Sequence, residues 1–358
     1  MTPERNRRDA GPGLEFEHNS DLSPGEPYLA AMPHMRAAFG YEKTSNLFGY
    51  YDGVANAEHR VLRRTGMVSL ILGGVALSGI VIKLMVGALG HSMPLSLIAL
   101  FEAAALGSIV LALGPWFSRT RTKWLTARFM TEQIRQWQFQ LLLDGRLLSQ
   151  AMSNRDAFEA ERTQRWARFE SQAVSAEGTM NSFADGEVLE FYHDISPYGE
   201  PEAAEETLRA YMDLRFHKQL AYFNLKRQEL MRRDGWVEAL SRWSLFMALV
   251  LASGQLLIVA WNWISCCLPH GLDVLLGAAA LWLVVCSASV RIYQHAMHLA
   301  EQIEHYETKW LGLVILKTQF DAAGSVEEKL GVMRQVEVLE IDELREFLRQ
   351  MRKTSYLL

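Results

Sequence analysis

Four long apolar runs dominate what this chain can become. Met67–Leu89 and Leu95–Leu113 are separated only by Gly90, His91, Ser92, Met93 and Pro94, and Leu245–Trp263 and Val274–Val290 only by the stretch from Ser265 to Asp273. A hydrocarbon core about 30 Å thick needs roughly 20 apolar residues in helical form. Each run is in or near that range, so the sequence predicts four transmembrane helices arranged as two hairpins. The average composition hides this. Over 358 residues the hydrophobic fraction is 49% and the mean hydropathy −0.01, because greasy runs alternate with highly charged surroundings.

The charges flanking the runs predict an orientation. Arg60, Arg63 and Arg64 precede the first run, and Arg119, Arg121 and Lys123 follow the second. Arg232, Arg233 and Arg242 precede the third, Arg291 follows the fourth, and neither tip holds Lys or Arg. Positive residues stay cytoplasmic, so both termini and the central segment are expected inside and both tips outside. Trp116, Trp243, Trp261 and Trp263 fall at the expected span ends, where indole rings favour the headgroup zone. The residues before Met32 read as a flexible polar tail without the pattern of a signal peptide.

Polar residues inside such runs are the first candidates for function. Counted back from His91 at ~1.5 Å per residue, Lys83 lies about 12 Å and Glu102 about 16 Å deep. A charge in mid-membrane is costly and tends to face a bundle interior or a water-filled path. Two readings follow: a pore-lining or gating carboxylate at Glu102 with Lys83 nearby, or an ion pair locking the hairpin. Gln255 is a milder version of the same signal and fits helix–helix contact, as does Asn262. Small residues recur four apart at Gly74 and Ser78, and at Ala99, Ala103 and Gly107. Close helix approach in lipid needs such positions.

The rest reads as amphipathic helix. Trp124, Phe129, Ile134, Trp137 and Leu141 recur at helical steps in an extension of the second span that ends near Gly145. The fourth span continues similarly to a stop before Gly324, and both extensions contain Glu-Gln-Ile, at Glu132–Ile134 and Glu301–Ile303. Each hairpin also follows a helical stretch rich in Tyr, Asn and Arg, which suggests an internal duplication. Leu147 to Phe183 reads as one helix, Val188–Tyr192 as a short strand, and Glu202 to Arg232 as helix again. Val326 to Arg352 reads as one or two helices striped by Leu330, Met333, Val336, Leu344, Phe347, Leu348 and Met351. The expected organisation is a polar tail over 1–32, a first helix–hairpin–helix unit over 33–150 and a connecting helix and loop over 151–205. A second unit covers 206–320 and C-terminal amphipathic helices cover 321–358. The fold class is therefore an all-α membrane protein, with four spans and a cytoplasmic helical bundle.

Catalytic signatures are missing. The sequence holds no phosphate-binding loop, dinucleotide fingerprint or nucleophile elbow. A net charge of −5 with interleaved bases gives no sign of nucleic-acid binding. The three cysteines, Cys266, Cys267 and Cys286, match neither a disulfide framework nor a zinc knuckle, although the pair at the second tip offers an intersubunit disulfide. His295, His298, Glu301 and His305 share one helical stripe, a weak candidate metal or proton-sensing row whose plainer reading is a polar helix face. No cofactor is expected.

The hairpin Met67–Leu113 followed by KWLTARFMTEQIRQWQF, with Trp124, Arg128, Glu132 and Arg135, resembles the SLATT family of bacterial two-span membrane proteins encoded beside nucleotide-second-messenger and related conflict systems. The second half keeps Glu301 and Trp310 but lacks an arginine matching Arg135, and the doubling departs from a single two-span unit. The resemblance implies an inner-membrane effector of antiphage defence. Such an effector oligomerises, opens a pore or disrupts the bilayer, and has lipid, further copies of itself and a nucleotide-messenger or defence protein as partners. The alternative is a membrane-anchored scaffold or sensor that recruits a cytoplasmic partner without moving ions. A secondary transporter and an enzyme follow at a distance.

Overall fold

A computed structural model describes residues 22, 26–88, 90–117, 119–173, 176–186, 192–265, 272–296 and 299–353. Helix accounts for almost all of it, and the described residues contain no strand, only an isolated bridge between Asp144 and Ser196. Three helical stretches are long and apolar enough to cross a membrane: Glu42–Gly87, Pro201–Trp261 and Leu272–Arg291, with a shorter apolar stretch at Leu95–Leu111. Only 11% of the apolar window in each of the three is buried.

The elements are α1 (Glu26–Ala30), α2 (Pro33–Phe39), α3 (Glu42–Ala88), α4 (Leu95–Phe117), α5 (Thr120–Leu141), α6 (Gly145–Ser153), α7 (Arg155–Ala173), α8 (Ala176–Asp185) and α9 (Pro201–Ala210). A π-helical turn (Tyr211–His217) follows, then α10 (Lys218–Ser265), α11 (Leu272–Ala296), α12 (Leu299–Ala322) and α13 (Val326–Lys353). No proline falls between Pro33 and Pro94 or between Pro201 and Pro269. That absence lets α3 and α10 run unbroken for 47 and 48 residues. At the first tip, Gly90 takes the left-handed conformation (φ 76°) and donates to the Gly87 carbonyl while His91 donates to that of Val86. A residue without Cβ ends the helix there at no steric cost.

Contacts divide the chain into two units. Unit 1 comprises 1–57, 122–227 and 305–355, and unit 2 comprises 58–121, 228–304 and 356–358. Both α3 and α10 contribute residues to each.

Unit 1 is built around α5, which is buried on nearly every side. Phe129, Ile134, Trp137 and Phe139 are wholly enclosed, as are Leu141, Leu142 and Leu143 after them. Two of its glutamines bond inward: the Gln138 side-chain amide donates to the Ala38 carbonyl (2.7 Å), and Gln140 accepts from the Tyr192 backbone (2.8 Å). Around Trp137 stand Tyr41, Trp166, Phe169 and the His193 ring, with Trp137 and Trp166 edge to face at 5.0 Å. Such pairs add to the area they bury. One helix, not two, spans Val326–Lys353, and its expected stripe is the buried one: Leu330, Met333, Val336, Leu344 and Leu348 are enclosed and Phe347 and Met351 pack against them.

Several expectations need correction. The stretch from Leu147 to Phe183 is three helices, because Asn154 closes α6 and its side chain accepts from Ala157 to open α7 (3.3 Å). The second span does not run straight into α5. Arg119 adopts a left-handed conformation (φ 54°) between α4 and α5, just beyond Pro115, which lacks the N–H a continuing helix needs. The tail predicted over 1–32 ends earlier: Leu22, Leu29 and Met32 are buried and α1 is helical, since their side chains join the core of unit 1. Of the strand predicted at Val188–Tyr192, Tyr192 lies in a bend and the remainder outside the described residues.

Candidate functional site

Unit 2 carries the charged residues singled out within the runs. Lys83 lies on α3 near its C-terminal end and Glu102 on the first half of α4, and both are exposed. No ion pair joins them, which corrects the reading of a salt bridge locking the hairpin; neither has a partner among the described residues. The hairpin is held instead by small and hydroxyl-bearing side chains. Ser69 donates to the Ser108 carbonyl and Ser108 to the Ser69 carbonyl, both at 2.8 Å. A Cβ at Gly79 would fall 2.1 Å from the Phe101 ring, and one at Gly73 3.2 Å from Ser108 Oγ.

The predicted packing residues sort accordingly. Gly107 faces Leu72, 3.3 Å from where its Cβ would stand. Ser78 accepts a hydrogen bond from the Trp282 indole (3.0 Å) and donates to the Gly74 carbonyl (2.9 Å). Gly74 has no neighbouring atom within 4 Å of a would-be Cβ, and Ala99 and Ala103 are exposed. These three do not pack inside the unit. Gln255 packs against the backbone of Gly277, where a Cβ would meet its side-chain oxygen at 2.6 Å; that is helix–helix contact. A polar row joins α10 to α11: Ser241 and Ser287 lie 2.8 Å apart, Arg291 donates to Ser241 (3.3 Å) and Gln294 to Asp234 (3.2 Å). Trp243, Trp261 and Trp263 are exposed, and Trp116 sits near the end of α4.

The histidine row is not a metal centre among the described residues, where no group of three or more His, Cys, Asp or Glu could hold an ion. His295 is the penultimate residue of α11, His298 lies outside the described residues and Glu301 is exposed on α12. His305 turns to Glu343 of α13 at 2.8 Å. Cys266 and Cys267 lie outside the described residues, and Cys286 is a half-buried free thiol.

Sequence reasoning missed two buried charge clusters in unit 1. In the first, Glu337 of α13 accepts two bonds from Arg215 (3.0 Å each) and one from the Tyr211 hydroxyl (2.7 Å). The Arg215 and Glu337 side chains are 1% and 0% exposed. The wider π turn brings Tyr211 and Arg215 to one acceptor, and Arg215 lies over the Phe139 ring (4.5 Å). Burial pushes the Glu337 carboxyl above its ordinary range against the pull of Arg215. In the second cluster, Glu132 of α5 holds Arg128 and Arg135 at 2.5 Å each. Lys309 of α12 bonds Glu340 at 3.0 Å and also meets Glu343. Burial drives Glu132 up, but Arg128, Arg135 and Lys309 outweigh it and hold the carboxyl well below its usual range. Burial likewise opposes the charge of Glu343, and Lys309 and His305 win. Glu337 and Glu340 could be found by one signal: they sit on the same helical face as Met333, Val336, Ile341 and Leu344, where a solvated acid would not fall.

Unit 1 also has a cleft of about 490 Å³ between α9 with the π turn and the junction of α12 and α13, lined by Leu208, Arg209, Met212, Phe320 and Lys329 among others. Its four charged residues are of mixed sign and no nucleophile–base pair lines it.

No protein-family model matches the chain, and neither a curated protein nor a solved structure is similar to it.

Proposed function

We propose that this chain is a four-span protein of the bacterial inner membrane, with both termini and unit 1 cytoplasmic, that assembles with further copies of itself and permeabilises the membrane. Antiphage or conflict defence is the setting that the SLATT-like resemblance implies. One observation carries the membrane part of this reading: the apolar side chains of unit 2 point outward. Leu106, Val110, Leu249, Leu256 and Leu257 are each 65–72% exposed, which water would not tolerate as a continuous surface. α4, with 23 residues, is about 34 Å long at ~1.5 Å per residue and serves as the fourth span. The flanking arginines supply the orientation.

Permeation rests on the charges that their own chain leaves unanswered. Glu102, with Lys83 near it in depth, lines the joint between copies that borders the ion path; Gln255 serves packing. Reconstitution into planar bilayers tests the proposal. Conductance is expected, and Glu102→Ala is expected to change its magnitude or selectivity. Bilayers that stay sealed with wild-type protein inserted contradict permeation.

The scaffold reading keeps one observation in its favour: the cleft at Leu208, Met212 and Phe320 gives unit 1 a place for a cytoplasmic partner. A stoichiometric soluble partner, recovered from cells whose membranes remain sealed, favours it over permeation.

A further inference from the structure

One basic and one acidic side chain, at similar depth on neighbouring helices, face away from their own chain. Lys83 precedes the last residue of α3 by about 8 Å along the axis, and Glu102 follows the first residue of α4 by about 11 Å, at ~1.5 Å per residue. Both are exposed. In water this would call for no explanation. Within the membrane reading above, on which this inference rests, it does: hydrocarbon solvates neither charge. Lysine can lift its amine along a four-carbon stem towards the headgroups, but glutamate has too short a stem to do the same. Glu102 therefore needs a cation near its own depth.

We propose that this partner is a second copy of the chain, with Glu102 of one copy paired to Lys83 of the next. Charge complementarity identifies the occupant, because the surface that lacks a cation at Glu102 offers one at Lys83 about 3 Å away in depth. The surroundings of Glu102 suit a close neighbour. Ala99 and Ala103, one helical turn before Glu102 and the residue after it, are exposed. Both alanines are left exposed by the hairpin, whereas Gly73, Gly79 and Gly107 pack inside it. Small side chains let helix backbones approach closely in lipid, where a polar pair adds to van der Waals contact. A two-fold dimer makes both pairs at once; a head-to-tail ring makes one pair at every joint. The interface thus consists of α4 around Glu102 and the outer end of α3 around Lys83.

The test is a charge exchange between differently labelled full-length copies in proteoliposomes, read by energy transfer. Lys83→Glu alone gives copies with two acids, and Glu102→Lys alone gives copies with two bases. Each is expected to lose self-association by about tenfold. Mixing the two variants is expected to restore association, since every joint then meets an opposite charge, and the double variant K83E/E102K is expected to associate with itself. Single variants that associate as the wild type does would overturn the proposal, as would mixtures that stay apart while both variants remain helical and membrane-inserted. Alkaline extraction of the same membranes reports insertion independently, so failure of the pairing is distinguishable from failure of the membrane reading.

Discussion

Unit 1 and unit 2 contain similar residue types and use them in opposite ways. Unit 1 encloses its aromatics and even its charges: Trp137, Phe139, Arg215 and Glu337 are all essentially inaccessible. Unit 2 turns Leu256, Leu257 and Trp263 outward at 71%, 72% and 91% exposure and buries mainly small or hydroxyl groups such as Ala248, Ala280, Ser241 and Ser287. A water-soluble core needs large apolar side chains inside, because burial drives folding. Lipid removes that drive, so close packing and hydrogen bonds between small groups take over. On the proposed membrane reading, the two arrangements are what two solvents select.

The sharpest way to break this contrast is to delete a buried charge in unit 1. Glu337→Ala leaves Arg215 enclosed without its carboxylate and Tyr211 without its acceptor. Removing one partner of a buried pair costs about 3–5 kcal/mol. Thermal or denaturant unfolding in detergent is expected to show that loss. A change below about 1 kcal/mol would mean that water reaches the pair.

Next in size is a charge placed on the outward surface of unit 2. Leu257→Arg is expected to lower membrane insertion by about 2.5–3.5 kcal/mol, measured as the inserted fraction in a translocon assay. Met152→Arg, at a position of unit 1 that is 55% exposed, is expected to change stability by no more than about 0.5 kcal/mol. Equal effects at the two positions would erase the distinction.

The smallest effect is a pH dependence confined to unit 1. Burial, with Arg165 beside it, pushes the His193 imidazole down to about 3, against an ordinary value of about 6.5. A depressed histidine is protonated in the unfolded chain first. Its neutral burial therefore contributes fully above pH ~6.5 and is lost as pH falls towards about 3, with a slope of up to about 1.4 kcal/mol per pH unit. Glu132 and Glu343 act in the same direction lower down: held below their unfolded values, they contribute fully above about 4.3 and lose that contribution only as pH falls below it towards their lower folded values. Unfolding midpoints between pH 7 and 5 are expected to fall with acid in the wild type and to flatten in His193→Asn.

Much of the helical plan was legible because its signals are local. The apolar runs, the prolines and the stripe on α13 each report within a few turns of helix. The breaks at Asn154 and Arg119 were harder to see: the first depends on one residue closing α6 with its backbone N–H and opening α7 with its side chain, the second on a backbone conformation that arginine rarely adopts. The packing residues were half legible. Four-residue spacing picked out Gly107 and Ser78 but missed Gly73 and Gly79, because the phase between two helices is not written in either alone. Pairing across distant segments, such as Lys309 with Glu340 or Arg215 with Glu337, was illegible for the same reason.

Spin labels at Leu256 and Leu257 in unit 2 and at Met152 in unit 1, read for collisions with oxygen and with a water-soluble nickel chelate, test most directly whether lipid surrounds unit 2. The account predicts high oxygen and low nickel accessibility at the two leucine positions and the reverse at Met152. Strong nickel collisions at 256 and 257 in the reconstituted protein would contradict it.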